Sequence, residues 1–183
     1  MLEVAQRIII SDGAEAATTT RIAAEAEVSV GTIYRFFASR EGLLNVLVAR
    51  ELDELDHRLA EAGYSLGGTD WSERADTGAD VMIEFADDPK LAYRTLMYTS
   101  TLTGEIAATN RDHDLRMAHR LLAGLPQSVL DAMQPNPLAV MHLYLGILDK
   151  GMELAFFRPG HRDDEIIAQM KLAARTFLAQ YLD

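Results

Sequence analysis

The chain of 183 residues has no cysteine, one tryptophan and five prolines. Without cysteine, neither a disulfide framework nor a thiolate metal site can form. The five histidines show no i, i+4 pairing, and "RDHDLR" at Arg111–Arg116 spreads its Asp and His around a helix, so a solvated face is expected there rather than a metal site. No nucleophile elbow, phosphate loop or zinc-hydrolase motif is present, so neither an enzyme nor a cofactor is implied. No apolar run approaches the roughly 20 residues needed to cross a bilayer. The start, "MLEVAQRIIISDG", has neither the basic region nor the cleavage site of a signal peptide. A cytoplasmic protein with no membrane partner is the expectation.

Positive charge is scarce as well. The net charge is −11, which on its face disfavours nucleic acid, because phosphate contacts need Lys and Arg. The deficit is uneven. Residues 1–50 hold five Arg against six acids, whereas residues 51–183 hold twelve basic and twenty-two acidic residues. The acidity belongs to the second part of the chain and does not veto a phosphate contact by the first.

What is abundant is helical periodicity; strand alternation persists nowhere. Helices are expected at about 2–11, 19–26, 30–37 and from a cap at Ser39 to about Ala62. "GYSLGGTD" (Gly63–Asp70) is a loop, and further helices follow at Trp71–Phe85, Pro89–Ser100, Glu105–Leu122, Gln127–Met133, Pro137–Phe157 and Asp164–Leu182. Pro126, Pro135, Pro137 and Pro159 sit at boundaries, where a helical reading needs them. The fold class is all-α.

Three short helices in under forty residues, the last two joined by a tight turn, describe a helix-turn-helix. In "VSVGTIYRFF" the third helix packs inward through Ile33 and Phe37. Val30, Gly31, Thr32, Tyr34 and Arg35 remain for the outside. Gly31 allows close backbone approach, Thr32 reaches a phosphate or a thymine methyl, Tyr34 holds a phosphate, and Arg35 makes a charge-assisted contact to guanine or phosphate.

The run "ATTTRIAAEAEVSVGTIYRFFASREGLL", Ala17 to Leu44, resembles the DNA-binding signature of the TetR (tetracycline-repressor-like) family of transcriptional regulators. Thr18, Ile22, Ala23, Ala26, Val28, Ser29, Gly31, Thr32, Ile33, Tyr34, Phe37, Ser39, Arg40, Glu41, Leu43 and Leu44 fall in register without a gap. The resemblance covers roughly the first fifty residues. It implies a DNA-binding domain over residues 1–48, with Thr18, Val30, Thr32, Tyr34 and Arg40 at DNA-contacting positions and Arg40 near a phosphate. Two departures stand out. Glu27 occupies a turn position where Gly is usual, and the chain opens inside its first helix with no basic arm before it. Weak, salt-sensitive binding to DNA is therefore expected.

For residues 49–183 the resemblance implies a larger helical domain that binds a small-molecule effector and forms a homodimer through its last two helices. Pro137–Phe157 is apolar nearly all round, with one stripe at Leu138, Met141, Leu145, Leu148 and Met152 and another at Val140, Tyr144, Ile147, Gly151 and Leu154. The expected dimer interface is Met141, Leu145, Leu148 and Met152 with Ile166, Met170 and Phe177 of the last helix. Trp71, Met82, Phe85, Tyr93, Met97, Tyr98, Met117, Leu121 and Tyr144 suit a pocket for an apolar or aromatic effector. Asp149 and Glu153 either face a cationic ligand or, as the better reading, form surface pairs with Lys150 or a partner chain.

The resulting expectation is a dimeric repressor that a small effector releases from a two-fold symmetric double-stranded DNA operator. Two alternatives stand beside it. One is a small-molecule sensor on the same scaffold with weak or lost operator binding. The other is an all-helical enzyme using the pocket.

Overall fold

The computed structural model describes residues 1–68, 70–98, 104–158 and 160–182. Ten α-helices follow one another: α1 (Leu2–Asp12), α2 (Thr19–Glu25), α3 (Val30–Phe36), α4 (Arg40–Glu61), α5 (Trp71–Asp87), α6 (Tyr93–Tyr98), α7 (Gly104–Ala123), α8 (Gln127–Ala132), α9 (Pro137–Ala155) and α10 (Asp164–Leu182). A 3₁₀ turn, Ala14–Ala16, links α1 to α2, and no strand occurs among the described residues. The chain is all-α, as its periodicity predicts.

Local chemistry accounts for most of these boundaries. Thr18, Ser29 and Ser39 each turn a side-chain oxygen onto the third residue ahead, accepting from the N–H groups of Arg21, Thr32 and Gly42 at 3.2, 3.0 and 2.9 Å. Each satisfies one of the donors that a helix start leaves open. Asn136 does the same for α9, whose first residue is Pro137.

The ends of α2 and α4 make an informative pair. Both close in the same motif, with two backbone bonds folding the chain back over the last turn: Val28 N–H to Ala23 O and Glu27 N–H to Ala24 O in α2, Tyr64 N–H to Leu59 O and Gly63 N–H to Ala60 O in α4. That motif requires a left-handed residue. In α4 it is Gly63, at φ 67°; in α2 it is Glu27, at φ 53°. A side chain at such a φ strains the backbone by about 1–2 kcal/mol. Glu27→Gly is accordingly expected to stabilise the protein by about 1 kcal/mol, after allowing for glycine's greater freedom in the unfolded chain. Urea denaturation of the two proteins checks this, and an unchanged or lower midpoint for the glycine variant counts against the strain.

One expected helix is shorter than its periodicity implies. Residues 88–92 form a turn instead of the start of a helix from Pro89, because two carboxylates take the backbone N–H groups there. Asp88 accepts from Lys90 N–H at 2.9 Å, and buried Glu51 of α4 accepts from Ala92 N–H at 3.0 Å. The expected end of that helix, Ser100, and the boundary residue Pro159 lie outside the described residues.

Two packing layers result. Ile8, Ile9, Ile22, Ile33, Leu43, Leu44 and Leu47 close a small core under α1–α3. Beyond it α4 continues without a break past the expected boundary at residue 48 and packs on α7, while α9 lies against both α7 and α10. The two layers are also tied by side chains. Gln6 of α1 donates to Lys90 O at 2.7 Å and accepts from Arg50 at 2.5 Å.

Candidate nucleic-acid interface and core cavity

The sequence pattern puts α3 on the surface of the small layer, and its burial follows the expected faces. Ile33 is fully buried and Phe37, just past the helix end, is half-buried. Gly31, Tyr34, Arg35 and Phe36 are exposed; Val30 and Thr32 are partly so. Thr32 shares a hydrogen bond with Ser29 Oγ at 2.9 Å, so its hydroxyl is held at the helix start. Thr18 is exposed at the start of α2, its oxygen occupied by the cap.

The five arginines of residues 1–50 are not equally available. Arg21 is paired with Asp12 and Glu25, and Arg7 with Glu25. Arg50 is bonded to Gln6. Arg40, expected at a phosphate, is turned inward: its guanidinium donates to the carbonyls of Ala17 at 2.9 Å and Ala14 at 2.5 Å, fastening the start of α4 to the 3₁₀ turn. The Ala17 carbonyl has no other donor among the described residues, and the Ala14 carbonyl adds this bond to the one it takes from Ala17 N–H at 3.2 Å. Arg35 alone of the five has no ion pair or hydrogen bond among the described residues. Its guanidinium sits 5.0 Å from the centre of the Phe36 ring, and that ring is 61% exposed. Phe36 is not among the residues that the helix pattern singled out. The signal was the doublet Phe36–Phe37 itself, since on so short a helix with Ile33 and Phe37 turned inward, Phe36 lies about 100° round from Phe37.

In the larger layer a cavity of about 30 Å³ lies between α4, α5, α6, α7 and α9. Five of the expected effector residues line it: Met82, Phe85, Tyr93, Tyr98 and Met117. Three others are buried elsewhere. Trp71 and Met97 pack in the core, and Tyr144 shares a hydrogen bond with Tyr64 at 3.0 Å between hydroxyls. Leu121 lines a separate recess of about 160 Å³ with Leu59, Tyr64 and Arg120. Met117 borders both spaces and forms the wall between them.

The rest of the cavity wall was not foreseen as such. Leu145, Leu148 and Met152, expected at a dimer interface, face this cavity instead. With Met141 they are buried within the chain, and Met170, also buried, reaches only the floor of an open groove beside α9. Ile166 and Phe177 are half-buried. The exposed apolar face of α9 follows neither expected stripe exactly: Tyr144 of the second stripe is fully buried, and Leu143 and Gly146, in neither stripe, join Ile147 and Leu154 on the outside. There Leu143 is 56% exposed and Leu154 49%, and they border the groove with Gly146, Ile147 and Ile166. Met170 fills the space beside Gly151, where any Cβ would strike it.

His113 also belongs to the cavity wall, contrary to a solvated "RDHDLR" face. It is buried, its Nε2 3.0 Å from Asp56 Oδ1 and its Nδ1 3.8 Å from Asp114 Oδ1. Arg120 donates to the other oxygen of Asp56 at 2.8 Å. Burial works against ionisation of Asp56, but the bonds from Arg120 and His113 outweigh it and hold that carboxyl below the usual range. Asp149, on the opposite wall, has no such partner. Burial first, and then the charges of Asp114 and Glu153, push its carboxyl up to about 6. Lys150 pairs with Glu153 at 2.7 Å, which bears out the surface pair expected for Glu153 but leaves Asp149 outside it.

The comparisons fit this geometry. Residues 1–47 match the model for bacterial regulatory proteins of the tetR family. Solved structures share the fold along nearly the whole chain. The fatty acid degradation regulator FadR from Bacillus halodurans is 20% identical at a TM-score of 0.65, covering 97% of this chain and 95% of that one. A TetR-family transcriptional regulator from Streptomyces coelicolor is 17% identical at 0.65, covering 100% and 94%. The regulator PfmR from Thermus thermophilus is 17% identical at 0.54, covering 99% and 96%. No curated protein matches the chain.

Proposed function

We propose, on the premise that the first 47 residues belong to the tetR family of bacterial regulatory proteins and that the whole chain has the fold of its solved regulators, that this protein is a ligand-responsive repressor acting as a homodimer. The observation that carries the reading is the exposed face of α3. It combines a small residue, hydroxyls and one unpaired Arg on a helix anchored by buried Ile33. That helix enters the major groove, with Val30, Gly31, Thr32, Tyr34 and Arg35 toward the bases and Thr18 at the backbone. The exposed stripe of α9 and the adjoining face of α10 cover each other in the dimer, which sets two α3 helices one turn of DNA apart. The core cavity takes a small effector with an apolar or aromatic body.

The coupling has a physical route. Tyr93 and Tyr98 of α6 line the cavity, and the turn before α6 is held by Glu51 and in turn holds Gln6 of α1. An effector that displaces α6 therefore shifts α1 against α4 and changes the spacing of the recognition helices. It weakens DNA binding only by as much as it prefers the displaced form.

Selection of bound fragments from genomic DNA, followed by footprinting, tests the reading. A protected site with two-fold symmetry is expected; a single asymmetric half-site sinks the dimer. With Arg35 the one unpaired Arg of the small layer, Arg35→Ala is expected to weaken binding at least about tenfold. The slope of log affinity against log salt should fall by about 1 for each phosphate that the variant no longer neutralises. Tyr34→Phe, which removes only a hydroxyl, should cost less and leave the slope unchanged. Mobility shifts at several salt concentrations check both.

A further inference from the structure

The cavity of the large layer holds more negative charge than its surroundings balance. Three carboxylates stand around it. Asp56 is satisfied by Arg120 and His113. Asp114 receives Asn110 Nδ2 at 3.4 Å and faces His113 Nδ1 at 3.8 Å. Asp149 lines the cavity with no ion pair among the described residues, since its neighbour Lys150 is taken by Glu153. Arg120 and His113 can balance at most two of the three, so at least one carboxylate is left over. A half-buried charge with no ion-pair partner is costly, and proteins keep one where something supplies the partner.

A second feature points into the same space. The Tyr98 hydroxyl is buried and lines the cavity; it meets no partner at full hydrogen-bonding geometry among the described residues, although it lies close enough to Asp149 to favour that carboxylate's charge. Burial pushes both the Tyr98 and Tyr93 hydroxyls far above their usual range, so both remain neutral. The rings form an aromatic cluster, Phe85 to Tyr93 at 5.0 Å and Tyr93 to Tyr98 edge-on at 5.8 Å. Aromatic faces beside carboxylates are the surroundings that attract an organic cation.

We propose that the effector is an organic cation, an amine or ammonium with an aryl or alkyl body, seated with its charge between Asp149 and Asp114 and against the Tyr93–Tyr98 rings. This rests on the reading that the cavity is the effector site. The space of about 30 Å³ receives the cationic head only. The body passes Met117, whose flexible thioether swings aside, into the recess of about 160 Å³ beside Leu121 and Tyr64. A carboxylate of equal shape is rejected, because its head would lie against two acids with no donor but the Tyr98 hydroxyl.

The test uses the full chain at pH 7.5 and matched probes: 4-phenylbutylamine against 4-phenylbutanoate, and dodecylamine against dodecanoate. Binding is read by calorimetry and by the shift in Tm. At least one amine is expected to bind and raise Tm, while its carboxylate counterpart does neither. Asp149→Asn should weaken the amine by at least about tenfold, and Asp114→Asn should weaken it in the same direction. Glu153→Gln, one turn along α9, should leave it within about twofold. Equal or tighter binding of a carboxylate overturns the proposal. So does failure of both amines, or an amine affinity indifferent to Asp149→Asn in a variant that melts cooperatively. DNA retention by the ligand-free protein is measured in parallel. If it persists while the amines fail, the cation assignment alone is lost; if no fragment is retained, the regulator reading falls.

Discussion

Asp149→Asn is expected to make the ligand-free protein more stable, by about 2 kcal/mol at pH 7.5, with the advantage shrinking as the pH falls toward 4. The folded chain holds the Asp149 carboxyl at about 6, whereas its ordinary value is 3.8. Below about pH 4 the group is protonated in both folded and unfolded chains and contributes no difference. Between about 4 and 6 the unfolded chain releases its proton and the folded chain keeps it, so stability falls as the pH rises. Above 6 both forms are ionised and the deficit is constant. At about 1.4 kcal/mol per pH unit the full gap approaches 3 kcal/mol, and the partial exposure of the side chain reduces it to about 2. Asn has nearly the same shape and no charge to bury.

Glu51 is raised in the same way, by burial first, but it is present in both proteins and cancels in the difference. Urea denaturation of the two proteins from pH 4.5 to 7.5 supplies the measurement. A stability difference that does not change with pH, or a variant that becomes less stable as the pH rises, contradicts the assignment. The same substitution removes the proposed cation response. Stability gained and response lost together are what a carboxylate kept for a ligand produces.

Arg40→Ala is expected to destabilise the protein by about 2 kcal/mol without changing the salt slope of DNA binding. The guanidinium makes two hydrogen bonds to main-chain carbonyls, one at Ala14 and one at Ala17, in a half-buried setting. Bonds to a charged donor are worth about 1.5–3 kcal/mol, and the variant leaves the Ala17 carbonyl to water while Ala14 O keeps only its bond from Ala17 N–H. Arg40→Lys restores the charge but reaches only one carbonyl at a time, so it should recover less than half of the loss. A phosphate-binding Arg40 gives the opposite pattern: unchanged urea midpoint and a shallower salt slope. Denaturation curves and mobility shifts on the same samples separate the two roles, because Arg35 remains to carry the phosphate term.

These cases mark where a sequence is readable. The helix-turn-helix was legible because its determinants are neighbours. Thr18, Ser29 and Ser39 each cap a helix three residues ahead, and Ile33 is buried because the spacing leaves it no alternative. Glu27 was visible as an unusual residue in a turn, and the positive φ gives that oddity its cost. The inward bonds of Arg40 were not legible because their partners lie 23 and 26 residues back, beyond any local pattern. On α9 the sequence shows two apolar stripes of similar strength. Which faces inward depends on where α7 and α10 come to rest. Met141, Leu145, Leu148 and Met152 of one stripe and Tyr144 of the other took the inner side, while Leu154 and Leu143, which belongs to neither stripe, took the outer one.

By itself, then, the sequence determined the all-α class, nearly every helix boundary and the exposed face of α3, since caps, turns and periodicity act within a few residues. Only the tertiary structure decided that His113 and Asp114 turn inward, that Asp149 meets them across a cavity, and that Arg35 alone of five arginines stays unpaired. Burial and ion pairing are sums over segments far apart in the chain. A carboxylate at a helix surface and a carboxylate in a cavity wall are spelled alike until those segments pack.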